Sequence, residues 1–510
     1  MDYSINPGLI EILKTFDKRD KIEFKKFLSS RFLNPYPKTV MLYKALLSFA
    51  PDYNTGKLNR KTLSAKFRLN TAYNDSTMRD LLSKLNLSAN KYLAYANFNN
   101  DELSLLQHQR NEYFSRKLLT HIDKNINISE NRINDINETD TDYFLKNMIL
   151  KTAKFNYYVI NKKIYNRQFL NESVGLLSSS SGYLLALFIL ESIKLNDTIV
   201  KISKRHENIS NRNIIPALLK TFHLEKTIMA LARNNKRLSH IFRIYYYLFM
   251  MFSNRDSQKY FRMYKQSILN NENKINKDEM HFLFGRLIDY CVNKCNEGIN
   301  EFYEELFSSF SILLEKRYFT NSTNKYLSED LFRNIIHSAI RAKKLKWAEQ
   351  FIKSFKNDLH PKNRDQLINY AYANIYFETG SFNKSLDYLL NANLEYITLK
   401  IDIKMLLLKI FFELGSFEQI YSLIDSFKHF ITNHEFIFSA RREKLKDFLN
   451  FYEILFRAVN RNDRESIEIL YKKLLQKKDL EFYSWLLKKA KHYTPDQIKN
   501  PAKTGLKSEK

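Results

Sequence analysis

The phrase "IYFETGSF" at residues 375–382 returns at 410–417 as "IFFELGSF", identical at six of eight positions with an offset of 35. A chain that writes one turn twice at that spacing is building the same local unit twice. In each copy a glycine, Gly380 or Gly415, sits just past an apolar run, where a left-handed residue closes a helix without a Cβ penalty. An aromatic residue, Phe382 or Phe417, then opens the next run, followed by Leu386, Leu389 and Leu390 in one copy and Ile420, Tyr421 and Ile424 in the other. Both sets trace one face of an amphipathic helix. A step of 35 back from Phe382 reaches Trp347, with Phe351 and Phe355 behind it, so "IRAKKLKW" (340–347) reads as a worn third copy.

The rest of the chain agrees with helices. Only 9 glycines and 8 prolines occur in 510 residues, with no glycine between Gly56 and Gly175 and no proline between Pro51 and Pro216. Sheets joined by tight turns need such residues far more often than helix pairs do. The predicted fold class is all-α, an α-solenoid of antiparallel helix pairs with an N-terminal helical region.

A helix pair of this size cannot bury both of its faces, so a stack of neighbours must supply the core. Ala373, Tyr376, Gly380, Phe382, Ser385 and Ala392 match the small, aromatic, glycine, aromatic, small, small spacing of the tetratricopeptide family. The chain resembles a degenerate member of that family, most clearly at 366–427 and more loosely over 330–430. The next copy departs from the pattern at Leu408, Ile420 and Phe427, and the Trp347 copy at Gln350; a faint echo at 456–471 could cap the array. The resemblance implies a groove lined by the first helix of each pair that binds a protein or peptide. It places Tyr370, Asn374, Met405 and Lys409 toward that groove; the same positions could equally be exposed or pack between repeats. It implies no chemistry.

Along the chain, residues 1–123 read as an N-terminal helical region. Its 8–33 stretch carries Leu9, Ile12, Leu13 and Phe16, then Phe24, Phe27 and Leu28, at helical spacing broken by "DKRDK". Residues 59–95 read as a short helix, a polar turn and a longer helix with Asp75 as N-cap and Met78, Leu81, Leu82 and Leu85 buried. A helix-turn-helix would show this, and so would any two packed helices. Residues 124–142, polar and Asn-rich, read as a linker or surface connection, "SSSSG" (178–182) as an interruption between helices, 143–494 as the repeat array, and 495–510 as a disordered basic tail.

The net charge of +27, from 82 Lys and Arg against 55 acids, raises nucleic-acid association through the N-terminal region as a second reading. The abundance of Asn, Ile, Lys, Phe and Tyr suits an AT-rich coding sequence, which discounts part of that charge. Cys291 and Cys295, four apart, read as buried helical thiols rather than metal ligands, and no disulfide framework exists, which suits a reducing cytoplasm. The start of the chain lacks the basic n-region of a signal peptide, and the longest apolar runs, 183–190 and 244–252, fall well short of the ~20 residues of a spanning helix, so no membrane insertion is expected. "RIYYYLFMMF" (243–252) has consecutive aromatics that point all round a helix, which suits burial between neighbours better than base stacking. No phosphate-binding glycine loop, zinc-protease or nucleophile-elbow motif occurs. Asp278 with His281, and Glu304 beside Glu305, read as helix decoration. No catalytic residue, cofactor or metal is assigned, and the function predicted is a cytoplasmic interaction scaffold.

Overall fold

The computed structural model describes residues 5–53, 58–67, 74–136, 141–205, 213–221, 223–234, 238–254, 258–392, 396–434, 437, 439–477, 480 and 482–494. Among them the chain is all-helical, and an isolated parallel bridge, Leu327 with Leu359, is the extended pairing they contain. It divides into two compact units, Met1–Ile136 with Lys146–Ser180, and Asn137–Leu145 with Ser181–Lys510.

The first unit holds α1 (Pro7–Thr15), α2 (Lys18–Ser29), α3 (Lys38–Leu47), α4 (Arg60–Phe67), α5 (Asp75–Asn100), α6 (Glu102–Ser115), α7 (Leu119–Asn134), most of α8 (Thr141–Ile160) and the start of α9 (Arg167–Arg205). Helical spacing dictates its core: Leu9, Leu13 and Phe16 meet Phe24, Phe27, Leu42, Tyr43 and Tyr92, with Phe24 edge-on to Phe16 and Tyr43. Asp17 and Asp20 of "DKRDK" close a reciprocal capping box that starts α2. Helix α5 buries Met78, Leu81, Leu82 and Leu85 as predicted, but its N-cap is Asn74, whose side chain accepts from the Thr77 N–H at 3.2 Å; Asp75 instead pairs with Arg60 and Arg79. The turn of the 59–95 segment lies outside the described residues.

Two expected breaks are helical. Residues 124–134 belong to α7, because Ile122, Ile126 and Ile133 hold one face and the polar residues between them, Asn125 and Ser129, are buried and bonded to the Arg110 guanidinium at 3.2 and 3.1 Å. The "SSSSG" stretch lies inside α9. Of its serines, Ser180 reaches Met148 O and the Thr152 hydroxyl, so that hydroxyl does not compete for a turn. Serines thus split the apolar letters without splitting the helix, and α9 has the length and composition to cross a membrane, with 33% of its most apolar window buried in the protein. The predicted tail, 495–510, lies outside the described residues.

The second unit continues with α10 (Ile215–Thr221), α11 (Leu224–Asn234), α12 (Ser239–Ser253), α13 (Gln258–Leu269), α14 (Lys277–Asn296), α15 (Glu301–Glu315), α16 (Glu329–Arg341), α17 (Leu345–Phe355), α18 (Arg364–Glu378), α19 (Phe382–Leu390), α20 (Ile397–Leu414), α21 (Phe417–Asn433), α22 (Ser439–Asn460), α23 (Arg464–Gln476) and α24 (Tyr483–Tyr493). Each of α16 to α24 touches its chain neighbours. In addition α16 touches α18, α18 touches α20 and α22 touches α24. Tyr245, Tyr246 and Leu248 of α12 are buried, as the aromatic run predicts, and so are Cys291 and Cys295 on α14.

One turn recurs through both units. A helix ends, a residue with positive φ follows, and the next N–H reaches back five residues, as from Ser381 to Tyr376 O and from Ser416 to Phe411 O, both at 2.9 Å. The same bond closes at Leu118 to Tyr113, Ile299 to Lys294, Tyr318 to Leu313, Lys344 to Ala339 and Asp463 to Ala458. Only three of these left-handed positions are glycine, Gly298, Gly380 and Gly415; the others are Lys117, Arg317, Lys343 and Asn462. The residue that opens α17, as Phe382 opens α19, is therefore Leu345 after Lys343, and Trp347 sits two residues further in.

Candidate functional site

Helices α18 and α20 are buried over so much of their girth that polar residues on them have to find partners inside. On α18, Leu367, Tyr370, Ala371, Ala373, Asn374, Ile375 and Phe377 are all buried. On α20, Leu399, Ile401, Asp402, Met405, Leu406, Leu408, Lys409, Ile410 and Phe412 are buried. The i, i+4 spacing does put Tyr370 and Asn374 on one face, but that face packs between neighbouring helices. All four residues placed toward a groove, Tyr370, Asn374, Met405 and Lys409, thus lie within the packing. Met405 sits in the apolar core with Ile401, Leu408 and Phe412.

What Tyr370 touches is more informative than where it was expected. Its hydroxyl donates to Asp402 Oδ2 at 3.0 Å, and His337 Nε2 lies 2.7 Å from the same hydroxyl. A carboxylate only accepts, so the Tyr370 proton goes to Asp402 and the neutral His337 must donate from Nε2. Arg333 grips Asp402 with two donors, Nε to Oδ2 and Nη2 to Oδ1, the latter at 2.9 Å. Arg441 Nη2, at the start of α22, stands 4.0 Å from Asp402 Oδ1. Asn374 completes the polar set by donating to the Tyr370 carbonyl at 2.9 Å. One aspartate therefore ties α16, α18, α20 and α22 together.

The charges are set by this geometry. Burial pushes the Asp402 carboxyl up, but the Arg333 charge and its two hydrogen bonds, with the His337 ring close by, outweigh it and hold the group well below the usual carboxylate range. Burial pushes His337 down, helped by Arg333 and Arg341 against the pull of Asp402, so the ring stays neutral. Burial and the Asp402 charge push the Tyr370 hydroxyl well up, which keeps it a donor. The side chains of His337 and Arg441 remain 25% and 33% exposed, so the seam has a solvent rim.

Lys409 is handled differently. Its ammonium lies 4.3 Å from the Phe377 ring and 4.2 Å from the Phe482 ring, a cation held between two aromatic faces. Burial lowers its pKa to about 8, against the weaker pull of Glu378, Glu413 and Asp402.

Elsewhere the decorating residues have structural partners. Asp278 accepts from the Ser322 N–H at 2.8 Å, and His281 Nδ1 meets the Tyr318 carbonyl at 2.7 Å. Burial raises both thiols, Cys295 to about 11 and Cys291 further, with the neighbouring Cys295 adding to the rise at Cys291. Among the described residues no group of three His, Cys, Asp or Glu is arranged to hold a metal.

Arg333, His337 and Asp402 escape a motif search because they are scattered over 69 residues and spell no pattern. Asp402 did carry a signal: it is the one acid in the body of the apolar run "ITLKIDIKMLLLKIFF", and a carboxylate there demands a buried partner. No protein-family model, curated protein or solved structure matches the chain.

Proposed function

We propose that the chain is a non-enzymatic interaction scaffold whose helices 329–493 form a tetratricopeptide-like stack of antiparallel pairs and present the inner helices to a protein or peptide partner. The observation that carries this reading is the Asp402 seam: side chains of α16, α18, α20 and α22, the first helices of successive pairs, converge on one carboxylate, which a stack of equivalent helices would allow. Ser385, buried on α19, donates to the Ala373 carbonyl of α18 at 2.7 Å, so the small residues stand where paired helices approach closely. Partner contact then belongs to the rim residues His337 and Arg441, not to the buried Tyr370, Asn374, Met405 and Lys409.

We place the protein in the cytoplasm and free of membrane insertion. In support, Lys194 and Asp197 near the end of α9 pair with Glu279 and Arg286 of α14, so that part of the apolar helix is claimed by protein contacts. A photo-crosslinking residue installed at Arg441 and, as control, at the exposed Glu418 of α21 tests the scaffold reading in extracts of the native host. A discrete crosslinked partner at position 441 alone is expected. Equal labelling at both positions, or none at 441, would refute the reading.

A further inference from the structure

Helix α17 ends at Phe355, and the chain crosses to α18 through a single helical turn at Lys356–Asp358. Beside this crossing lies a cavity of about 400 Å³ lined by Ile352, Lys353, Lys356, Arg364, Asp365 and Tyr372, among others. Three features of its lining bear on what it could hold. First, its cations are unneutralised. Elsewhere in the unit Lys428 and Arg457 share Glu453, Lys477 pairs with Asp447 and Lys489 with Glu413, whereas among the described residues Lys353, Lys356 and Arg364 make no ion pair. Asp365 is the one carboxylate on the lining, against three cations, and as a first-turn acid it faces the favourable end of the α18 dipole.

Second, the site is preformed. Arg364 Nη2 donates to the Leu359 carbonyl at 3.3 Å, which fixes the guanidinium, while its buried Nε has no partner. The N-cap residue of α18, Asn363, makes no side-chain cap bond, and its amide nitrogen donates to Glu329 instead, so the N–H groups of the first turn add to the positive potential. Third, an aromatic wall adjoins the cations. Tyr372 lines the cavity and begins a ladder, with ring centroids 6.3 Å from Tyr376 and 5.5 Å from Tyr388, which are themselves 5.3 Å apart.

Cations alone would suit any anion. A bare anion, however, needs neither a flat aromatic wall nor a cavity in the range of about 300–1,000 Å³ typical of small-molecule sites. We propose that this cavity binds a nucleoside phosphate, free or as one unit of a single strand, with the phosphate at Lys353, Lys356 and Arg364 and the base against Tyr372. Stacking on tyrosine accepts any base, and phosphate pairing carries no sequence information, so the site would be base-tolerant and weakened by salt. It is independent of the scaffold reading, since it shares no residue with the Asp402 seam.

The test is calorimetric titration of the full chain with adenosine monophosphate, inorganic phosphate, a short oligoadenylate and a phosphotyrosine peptide. Saturable binding of the nucleotide, at least tenfold tighter than inorganic phosphate, is expected. Lys353→Glu with Lys356→Glu should weaken it tenfold or more. Both side chains are exposed and unpaired, so the chain should stay folded, with the melting temperature lowered only by the acids placed at the C-terminal end of α17. Tyr372→Phe should retain binding, and Tyr372→Leu should erase the preference over phosphate. Oligoadenylate binding tighter than the mononucleotide, with the same loss in the double variant, identifies a strand; equal binding identifies the free nucleotide. The proposal is overturned if neither binds at about 1 mM, if phosphate binds as well as the nucleotide, if the double variant still binds the strand, or if the phosphotyrosine peptide is preferred.

Discussion

Replacing Asp402 with alanine removes the carboxylate that accepts from both Arg333 and Tyr370. Arg333 then keeps a buried positive charge with a single side-chain bond left, to Asn334 Oδ1 at 2.9 Å, and the Tyr370 hydroxyl loses its acceptor. Breaking a buried ion pair from one side costs about 3–5 kcal/mol, so Asp402→Ala should destabilise the second unit by about 4 kcal/mol. Asp402→Asn, which preserves the shape and loses the charge, should cost about 2–3 kcal/mol. The assay is urea unfolding followed by tryptophan fluorescence. The two tryptophans, Trp347 and Trp485, both belong to the second unit, so the signal reports that unit alone. At an m-value of about 3 kcal/mol/M the midpoint should fall by about 1 M. The same linkage has a pH signature. Because the folded pKa of Asp402 is depressed, its contribution is fully present above the unfolded value of about 4 and is lost as pH falls below it toward the folded value. His337, held neutral, adds an earlier loss that begins as pH drops through about 6.5, where only the unfolded imidazole takes up a proton. An Asp402→Ala midpoint within about 0.2 M of the parent, or an acid limb unchanged by the substitution, would refute the claim that this carboxylate is a shared structural anchor.

The other outcomes concern single positions. Lys343→Gly should stabilise the second unit by about 0.5–1 kcal/mol, the left-handed strain relieved less the extra unfolded-state entropy of glycine, while Gly380→Ala should cost about 1 kcal/mol. A Cβ at Gly380 would meet no neighbour within 4 Å, so an effect of the same sign at both positions in thermal melts would contradict the turn assignment. Lys409→Met should raise the melting temperature, by about 1–3 kcal/mol in stability, because a similar volume is kept and the cost of burying the cation disappears. The parent should also gain stability between pH 8 and about 10.5, as the folded lysine loses its proton first, and the methionine variant should lack that gain. Cys291 and Cys295 should resist an aromatic disulfide reagent at pH 8 and react only on unfolding, since burial raises both thiols; prompt reaction of either in the folded chain would show the packing to be wrong.

The helical class was legible because glycine and proline are rare, and the aromatic run of α12 because its spacing leaves no polar face. The turns were legible only where they are spelled with glycine. At Lys117, Arg317, Lys343 and Asn462 the chain accepts left-handed strain of about 1–2 kcal/mol in place of a glycine, and the repeat vanishes from the letters while the hydrogen bond persists. The same blindness explains α7 and α9. A search for apolar faces counts Asn125, Ser129 and Ser180 as solvent residues, yet each is buried and paired, with Arg110 or with Thr152. The candidate site failed to show for a related reason. Tyr370 and Asn374 were singled out by the family resemblance, but which face of α18 is covered depends on α16 and α20, whose sequences contribute Arg333, His337 and Asp402 without any shared motif.

A charged seam is an expensive way to join helices that could have met through leucines, and its use here points to register. Apolar faces of similar helices can slide by a turn and still bury the same area, whereas Asp402 accepts from Arg333 and Tyr370 only when α16, α18 and α20 stand in one alignment. The double substitution Arg333→Met with Asp402→Leu separates the two roles. An apolar pair of similar volume should bring the stability back to within about 1–3 kcal/mol of the parent, since no uncompensated charge remains and the Tyr370 hydroxyl is the group that loses its acceptor. If the seam fixes register, that stable variant should still lose discrete crosslinking at Arg441, because the rim would no longer be held in one arrangement. If crosslinking survives at full yield, the apolar packing alone sets the alignment, and the seam is a feature of stability without a part in recognition.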